Sequence, residues 1–211
     1  MLQIWPVGNI GDIEPGVDLA DALLQGIASD QIRLEPCDIV AVTQKVISKA
    51  EGRIVRLPDV EPSPAAVSLA RQTRKDPRLV EVILSETRRL VRVRGDVLIC
   101  ETHHGFICAN AGVDRSNVGG DAVTLLPRDP DRSARHLAHR LGCGIIVTDT
   151  HGRAWREGLL DLAIGVARAP LFVDFRGMQD TKGYSLQATT LAAADALAAA
   201  ASASAAARVV A

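Results

Sequence analysis

Gly144-Ile-Ile-Val-Thr-Asp-Thr-His-Gly-Arg153 decides how this chain is read. A glycine followed by four β-branched residues is a short apolar run, so residues 144–148 read as a buried strand. Asp149 stands at its end, among small, hydroxylated and glycine neighbours. A second segment repeats the arrangement. Phe106-Ile-Cys-Ala109 reads as a strand, and it leads into Asn110-Ala-Gly-Val-Asp-Arg-Ser-Asn117 with its lone Asp114. A strand end holds a carboxylate in place, and small neighbours leave room for a ligand's oxygens and offer it backbone N–H groups. Two such carboxylates facing each other would hold a hard divalent cation, which prefers oxygen donors and keeps positions open for phosphate. The other role open to each Asp is to cap a turn.

Working outward, residues 2–7 alternate weakly and read as a strand. Residues 18–28 carry Leu19, Ala22, Leu23 and Ile27 at helical spacing, with Asp18 as N-cap. A β-branched strand spans 38–43, and Gln44-Lys-Val-Ile-Ser-Lys-Ala-Glu-Gly-Arg53 follows it. After a proline-marked break at 61–64 come two helices, 64–74 and 77–90, the second opened by Asp76-Pro77. Residues 96–102 and 105–109 form a hairpin across His103-His104. Asp129-Pro130 opens a helix to about Arg140, and 161–167 is another strand. From Gln187 to about Ala207 the pattern is one helix, rich in alanine. Strands and helices do not alternate regularly, and neither GxxxxGK[ST] nor GxGxxG occurs. The expected architecture is therefore α+β, with mixed and antiparallel sheets and packed helices, in a single domain over 1–211.

Charge is balanced, with 24 basic and 25 acidic residues, so nucleic acid and membrane are not expected partners. Aromatic content of 3% argues against base stacking as the mode of binding. Cys37, Cys100, Cys108 and Cys143 lack paired spacing and read as free thiols. No cationic leader opens the sequence and no apolar run reaches the roughly 20 residues that span a bilayer, so a cytoplasmic location is expected. Lys45 and Lys49 bracket Ser48 directly after a strand and could reach phosphate oxygens as point charges; the alternative is a pair of solvated lysines. Arg153 and Arg156 could clamp a phosphate or carboxylate, or simply face solvent. His103, His104 and His151 have no zinc-ligand company, and no Ser–His–Asp or Cys–His arrangement can be argued, so the catalytic residue is left unassigned.

These segments together resemble the coenzyme F420-0:gamma-glutamyl ligase family, GTP-dependent enzymes that add L-glutamate to the lactyl phosphate side chain of a deazaflavin. The resemblance covers roughly residues 1 to 195. It runs through the 44–53 segment, Asp76-Pro-Arg-Leu-Val80, Glu101-Thr-His-His-Gly105, the 110–117 segment, Leu125-Leu-Pro127 with Asp129-Pro130, Thr148-Asp-Thr-His-Gly-Arg153, Ala163-Ile-Gly165, Arg176-Gly177, and Asp180 with Gly183-Tyr184. It implies that Asp114 and Asp149 bind one divalent metal, Mn²⁺ or Mg²⁺, and that Thr150 touches a second, with K⁺ as a further cofactor. GTP would be lined by the turn Ile10, Gly11, Asp12 and Ile13, by the pair Gln44 and Lys45, and by Lys49 and Asn117. It also implies an intertwined homodimer, with GTP, L-glutamate and the deazaflavin F420-0 as small-molecule partners. The family pattern is not followed throughout. Gly16-Val-Asp-Leu19 stands where relatives carry Gly-Asp-Asp-Leu, and the linker between the 129–140 helix and the Gly144 strand is shorter. Relatives continue past the terminal helix into a glycine-containing loop that contacts GTP and supplies a second-metal ligand. Here the sequence reads Ala201-Ser-Ala-Ser-Ala-Ala-Ala-Arg-Val-Val-Ala211, so a weaker second metal site and weaker closure over GTP are expected. A paralogue with another acid or amine substrate, and a non-catalytic member that binds nucleotide or deazaflavin, are the alternatives compatible with these residues.

Overall fold

The structure, a computed structural model, describes residues 2–153 and 155–209. The strand read at 144–148 is β7 (Gly144–His151), and its first five residues are buried. It is the middle of a three-stranded sheet, parallel to β1 (Ile39–Thr43) and antiparallel to β8 (Leu160–Ala167). Alternation along β7 sorts its side chains between two layers. Ile145 and Val147 join a core with α1 (Leu19–Ser29) and α5 (Pro130–Leu141), while Ile146 faces α6 (Ala193–Val209) through Ala194 and Ala198. Helices cover both faces, which is why the strand reads as an unbroken apolar run. Asp18 caps α1 by accepting the Asp21 N–H, and Asp129 caps α5 by accepting that of Arg132.

A second antiparallel sheet orders β3 (Thr87–Arg94), β4 (Val97–Thr102) and β5 (Ile107–Ala109). Leu98 and Cys100 bury one face against α3 (Pro64–Thr73) and α4 (Pro77–Ser85). A two-stranded pair, β2 (Ile54–Arg56) with β6 (Ala122–Thr124), bridges these bodies, and β9 (Phe172–Asp174) pairs with β10 (Thr190–Ala192). Helix α2 (Gln44–Ala50) follows β1 without a loop. The architecture is α+β with small mixed and antiparallel sheets and six α-helices among the described residues.

Three sequence expectations are corrected. Residues 2–7 form no strand; Leu2, Ile4 and Trp5 are exposed, and the backbone N–H of Gly8 is satisfied by the Asp30 carboxylate at 2.5 Å. The helix expected to reach Leu90 ends at Ser85. The Ser85 and Thr87 hydroxyls donate to the carbonyls of Val82 and Ile83, closing the last turn, and the chain then enters β3. The terminal helix starts at Ala193 rather than Gln187, because residues 190–192 pair with β9 instead. Leu197 packs beside Ala194 and Ala198, whereas Leu191 stays exposed. The helix runs to Val209; positions 210 and 211 of the alanine-rich end fall outside the described residues.

Candidate functional site

Parallel pairing sets Thr43, the last residue of β1, beside Thr148, and β7 runs three residues further, so Asp149 lies within the strand rather than beyond its end as the sequence suggested. Gln44 and Lys45 therefore emerge next to Asp149, Thr150 and His151, the position where open sheets with parallel strands bind ligands. These residues and Asp114 line one cleft of about 1030 Å³. Its opposite wall is the uncovered face of the second sheet, with Arg92, Arg94, Val97, Ile99, Ile107 and Ala109. Arg153 completes the lining from beyond β7.

Asp114 is held from both sides of its backbone. Its N–H donates to the Thr124 carbonyl at 3.0 Å, and its own carbonyl accepts the Thr124 N–H at 2.8 Å. The approach to it is a left-handed run, Asn110, Ala111 and Gly112 at φ 52°, 53° and 72°. For Ala111 that conformation costs about 1–2 kcal/mol. At Gly112 a β-carbon would lie 2.6 Å from Leu126, so glycine is required there by space as well as by φ. The side chain of Asp114 accepts from Lys45 Nζ at 2.5 Å and from the Ser116 N–H and hydroxyl, and Lys45 also reaches Ser116 Oγ. Burial works against the charge on Asp114, but the Lys45 ammonium and the Ser116 donors outweigh it and hold its pKa below the ordinary range.

Asp149 is the opposite case. Its side chain is 15% exposed, and burial pushes its pKa up. The Gln44 side chain and the Thr150 backbone N–H offset only part of this. His151 Nδ1 stands 3.9 Å from the Asp149 carboxylate, beyond hydrogen-bond reach, and is buried with no hydrogen-bond partner. Thr148 and Thr150, one residue to either side, both donate to Asp161 of β8 at 3.2 and 2.8 Å. Among the described residues no cluster of three or more His, Cys, Asp or Glu side chains has the spacing of a metal cage. Two carboxylates with threonine and serine hydroxyls are an all-oxygen set that leaves most positions to water or phosphate, the arrangement Mg²⁺ favours over a closed protein cage.

The cleft thus brings together Gln44, Lys45, Asp114, Asp149 and Thr150. The other residues expected at the GTP site lie outside its lining. Lys49 sits in the last turn of α2, half-buried, and Asn117 is exposed at φ 55°. Gly11 and Asp12 are exposed, while Ile13 belongs to the main core and Ile10 packs against it. Sequence reading passed over Arg92 and Arg94. Leu90-Val-Arg-Val-Arg94 ends in apolar–charged alternation, the signal of a strand edge, but the preceding helical pattern was extended into it.

Comparison with known proteins gives one family. Its model, described as F420-0:Gamma-glutamyl ligase, matches residues 8–206. A relative from Methanopyrus kandleri is 46% identical over 203 residues, covering 93% of this chain and 79% of its own. One from Methanothermobacter thermautotrophicus is 43% identical over 190 residues, covering 87% and 75%. One from Archaeoglobus fulgidus is 35% identical over 204 residues, covering 94% and 80%. All three are named coenzyme F420:L-glutamate ligase. With the match running through β1, β7 and every residue of the cleft, the chain belongs to the F420-0:gamma-glutamyl ligase family.

Proposed function

We propose that the protein is a GTP- and divalent-metal-dependent ligase that joins L-glutamate to the side-chain carboxylate of the deazaflavin F420-0. The observation that carries this reading is the convergence of Lys45, Gln44, Asp114, Asp149 and Thr150 in one cleft of a family member. Amide formation from a carboxylate needs an activated acyl group. The carboxylate oxygen attacks the γ-phosphorus of GTP, the bond to the β-phosphate oxygen breaks, and GDP leaves. The glutamate amine then attacks the acyl carbon, loses a proton, and phosphate departs. Phosphoryl transfer asks a protein mainly for positioning and charge neutralisation.

Each cleft residue has a part in that. Lys45 is a point charge for the phosphates, and on engaging them it would release Asp114. Asp114 and Asp149 would hold one Mn²⁺ or Mg²⁺ and Thr150 would touch a second; when bound, such ions neutralise phosphate charge. Gln44 orients Asp149 and is itself fixed by the Ser48 hydroxyl at 3.0 Å. Lys49, Asn117 and the Ile10–Ile13 turn lie outside the cleft, so the phosphate reading rests on Gln44 and Lys45.

A homodimer is part of the same proposal. Leu171, Phe172, Met178, Tyr184 and Leu191 are exposed around β9 and β10, and a two-stranded ribbon bearing so much apolar surface is marginal alone. Incubating the protein with GTP, Mn²⁺, L-glutamate and F420-0 should yield a product heavier by one glutamyl residue, with stoichiometric GDP. GDP formation without that mass, or neither product, would overturn the ligase reading.

A further inference from the structure

The second sheet is covered on one face and open on the other. Leu98 and Cys100 of β4 point into the core under α3 and α4, so their neighbours Val97 and Ile99 face the cleft. Val93 of β3 packs toward the same core, and Arg92 and Arg94 on either side of it turn to the cleft. Register agrees, since Arg92 stands opposite Ile99 and Arg94 opposite Val97. Ile107 and Ala109 extend the same face across β5, and Ile107 is 55% exposed.

A β-bulge between Leu90 and Arg92 separates two kinds of arginine on this strand. Before it, Arg88 and Arg89 both pair with Glu101. After it, Arg92 and Arg94 have no carboxylate within ion-pair distance among the described residues, and neither has Arg153 on the other rim. An apolar floor edged by two uncompensated guanidinium groups suits a ligand with a flat apolar body and an anionic arm. Guanidinium groups grip phosphate and carboxylate through paired N–H donors. The cleft volume of about 1030 Å³ stands at the top of the range for a single ligand, leaving room for a nucleotide at the Lys45 end and a second ligand on the sheet.

We propose that the open face of the β3–β4–β5 sheet is the acceptor subsite, with Arg92 and Arg94 holding the phosphate-bearing acidic side chain and Val97, Ile99 and Ile107 beneath the aromatic ring. This rests on the ligase reading for the identity of the ligand. The test uses the full chain and its Arg92→Ala/Arg94→Ala variant, without nucleotide, titrated by ring fluorescence. Two probes are compared, the deazaflavin with its lactyl phosphate arm and the same ring lacking phosphate. GTP binding by calorimetry checks that the variant is folded and its nucleotide end intact. The variant should bind the phosphorylated probe at least about tenfold more weakly, with the phosphate-free ring and GTP within about twofold of wild type. Arg92→Lys/Arg94→Lys should recover part of the loss, because lysine restores charge without the bidentate fork. Ile107→Asp should weaken both deazaflavins alike. Equal affinity of wild type and the alanine variant for the phosphorylated probe would overturn the subsite while leaving glutamate addition by the wild type untouched. Equal loss of both probes in that variant would also overturn it, by making the arginines ring supports rather than anion ligands. Failure of the wild type both to bind a deazaflavin and to add glutamate would overturn this proposal and the ligase reading together.

Discussion

Asp114 and Asp149 are the same residue type in the same cleft, yet their surroundings drive them in opposite directions. Asp114 has an ammonium at 2.5 Å, while Asp149 is largely shielded with no cation in hydrogen-bond reach. Asp149→Asn keeps the shape and a hydrogen bond to Gln44 but removes a charge that the ligand-free fold disfavours. It should raise the melting temperature of metal-free protein by about 2–4 °C, which ~1 kcal/mol is worth in a chain of this size, while weakening Mn²⁺ binding sharply. Asp114→Asn should lower it by a similar amount, because Lys45, only 16% exposed, loses its counter-charge. Thermal melts with and without EDTA and Mn²⁺ check both; shifts of one sign in the two variants would rule out burial as the difference. Both carboxylates were legible in the sequence as lone acids at the ends of apolar runs. Their unequal environments were not, since Lys45 and Gln44 reach them only through tertiary folding.

Elements meet here through close approaches that leave no slack. A β-carbon on Gly165 of β8 would stand 2.5 Å from the Pro130 carbonyl group at the start of α5. Gly165→Ala should cost roughly 1–3 kcal/mol in denaturant unfolding, because rigid backbone cannot yield as a side chain would. One carboxylate, Glu81, ties α4 to the start of α3, and another, Asp76, caps α4. The Ser63 hydroxyl and N–H hold the pKa of Glu81 below its ordinary 4.5, and the Arg78 guanidinium holds that of Asp76 below 3.8. Groups with depressed folded-state pKa values contribute stability that is present above the ordinary value and lost as pH falls through the folded one. Amide exchange in α3 and α4 should therefore accelerate relative to β7 below about pH 4, and Glu81→Gln should flatten that dependence. These helices were readable from the proline-marked break at 61–64 and from Asp76-Pro77. The switch from α4 to β3 was misread because Val82, Ile83 and Leu84 continue an apolar pattern that both structures accept, and hydroxyl caps made the decision.

At the scale of the molecule the exposed apolar ribbon is the outstanding feature. If it pairs two chains, sedimentation should give twice the 22.4 kDa chain mass, and Phe172→Asp with Leu191→Asp should return the single mass. A monomer at micromolar concentration in the wild type would discard that assembly.

Local chemistry was enough for the sequence to determine the caps of α1, α4 and α5, the β7 strand, the β4–β5 hairpin, and a carboxylate at the end of each apolar run. Each depends on residues within a few positions of one another, so neighbours in sequence carry the whole signal. Only the tertiary structure decided that β1 and β7 run parallel, that residues 190–192 pair with β9 before the helix begins, and that one face of the β3–β4–β5 sheet stays uncovered to present Arg92 and Arg94 to the cleft. Those choices follow from long-range pairing and from which face another element buries, and a linear pattern of side chains carries neither.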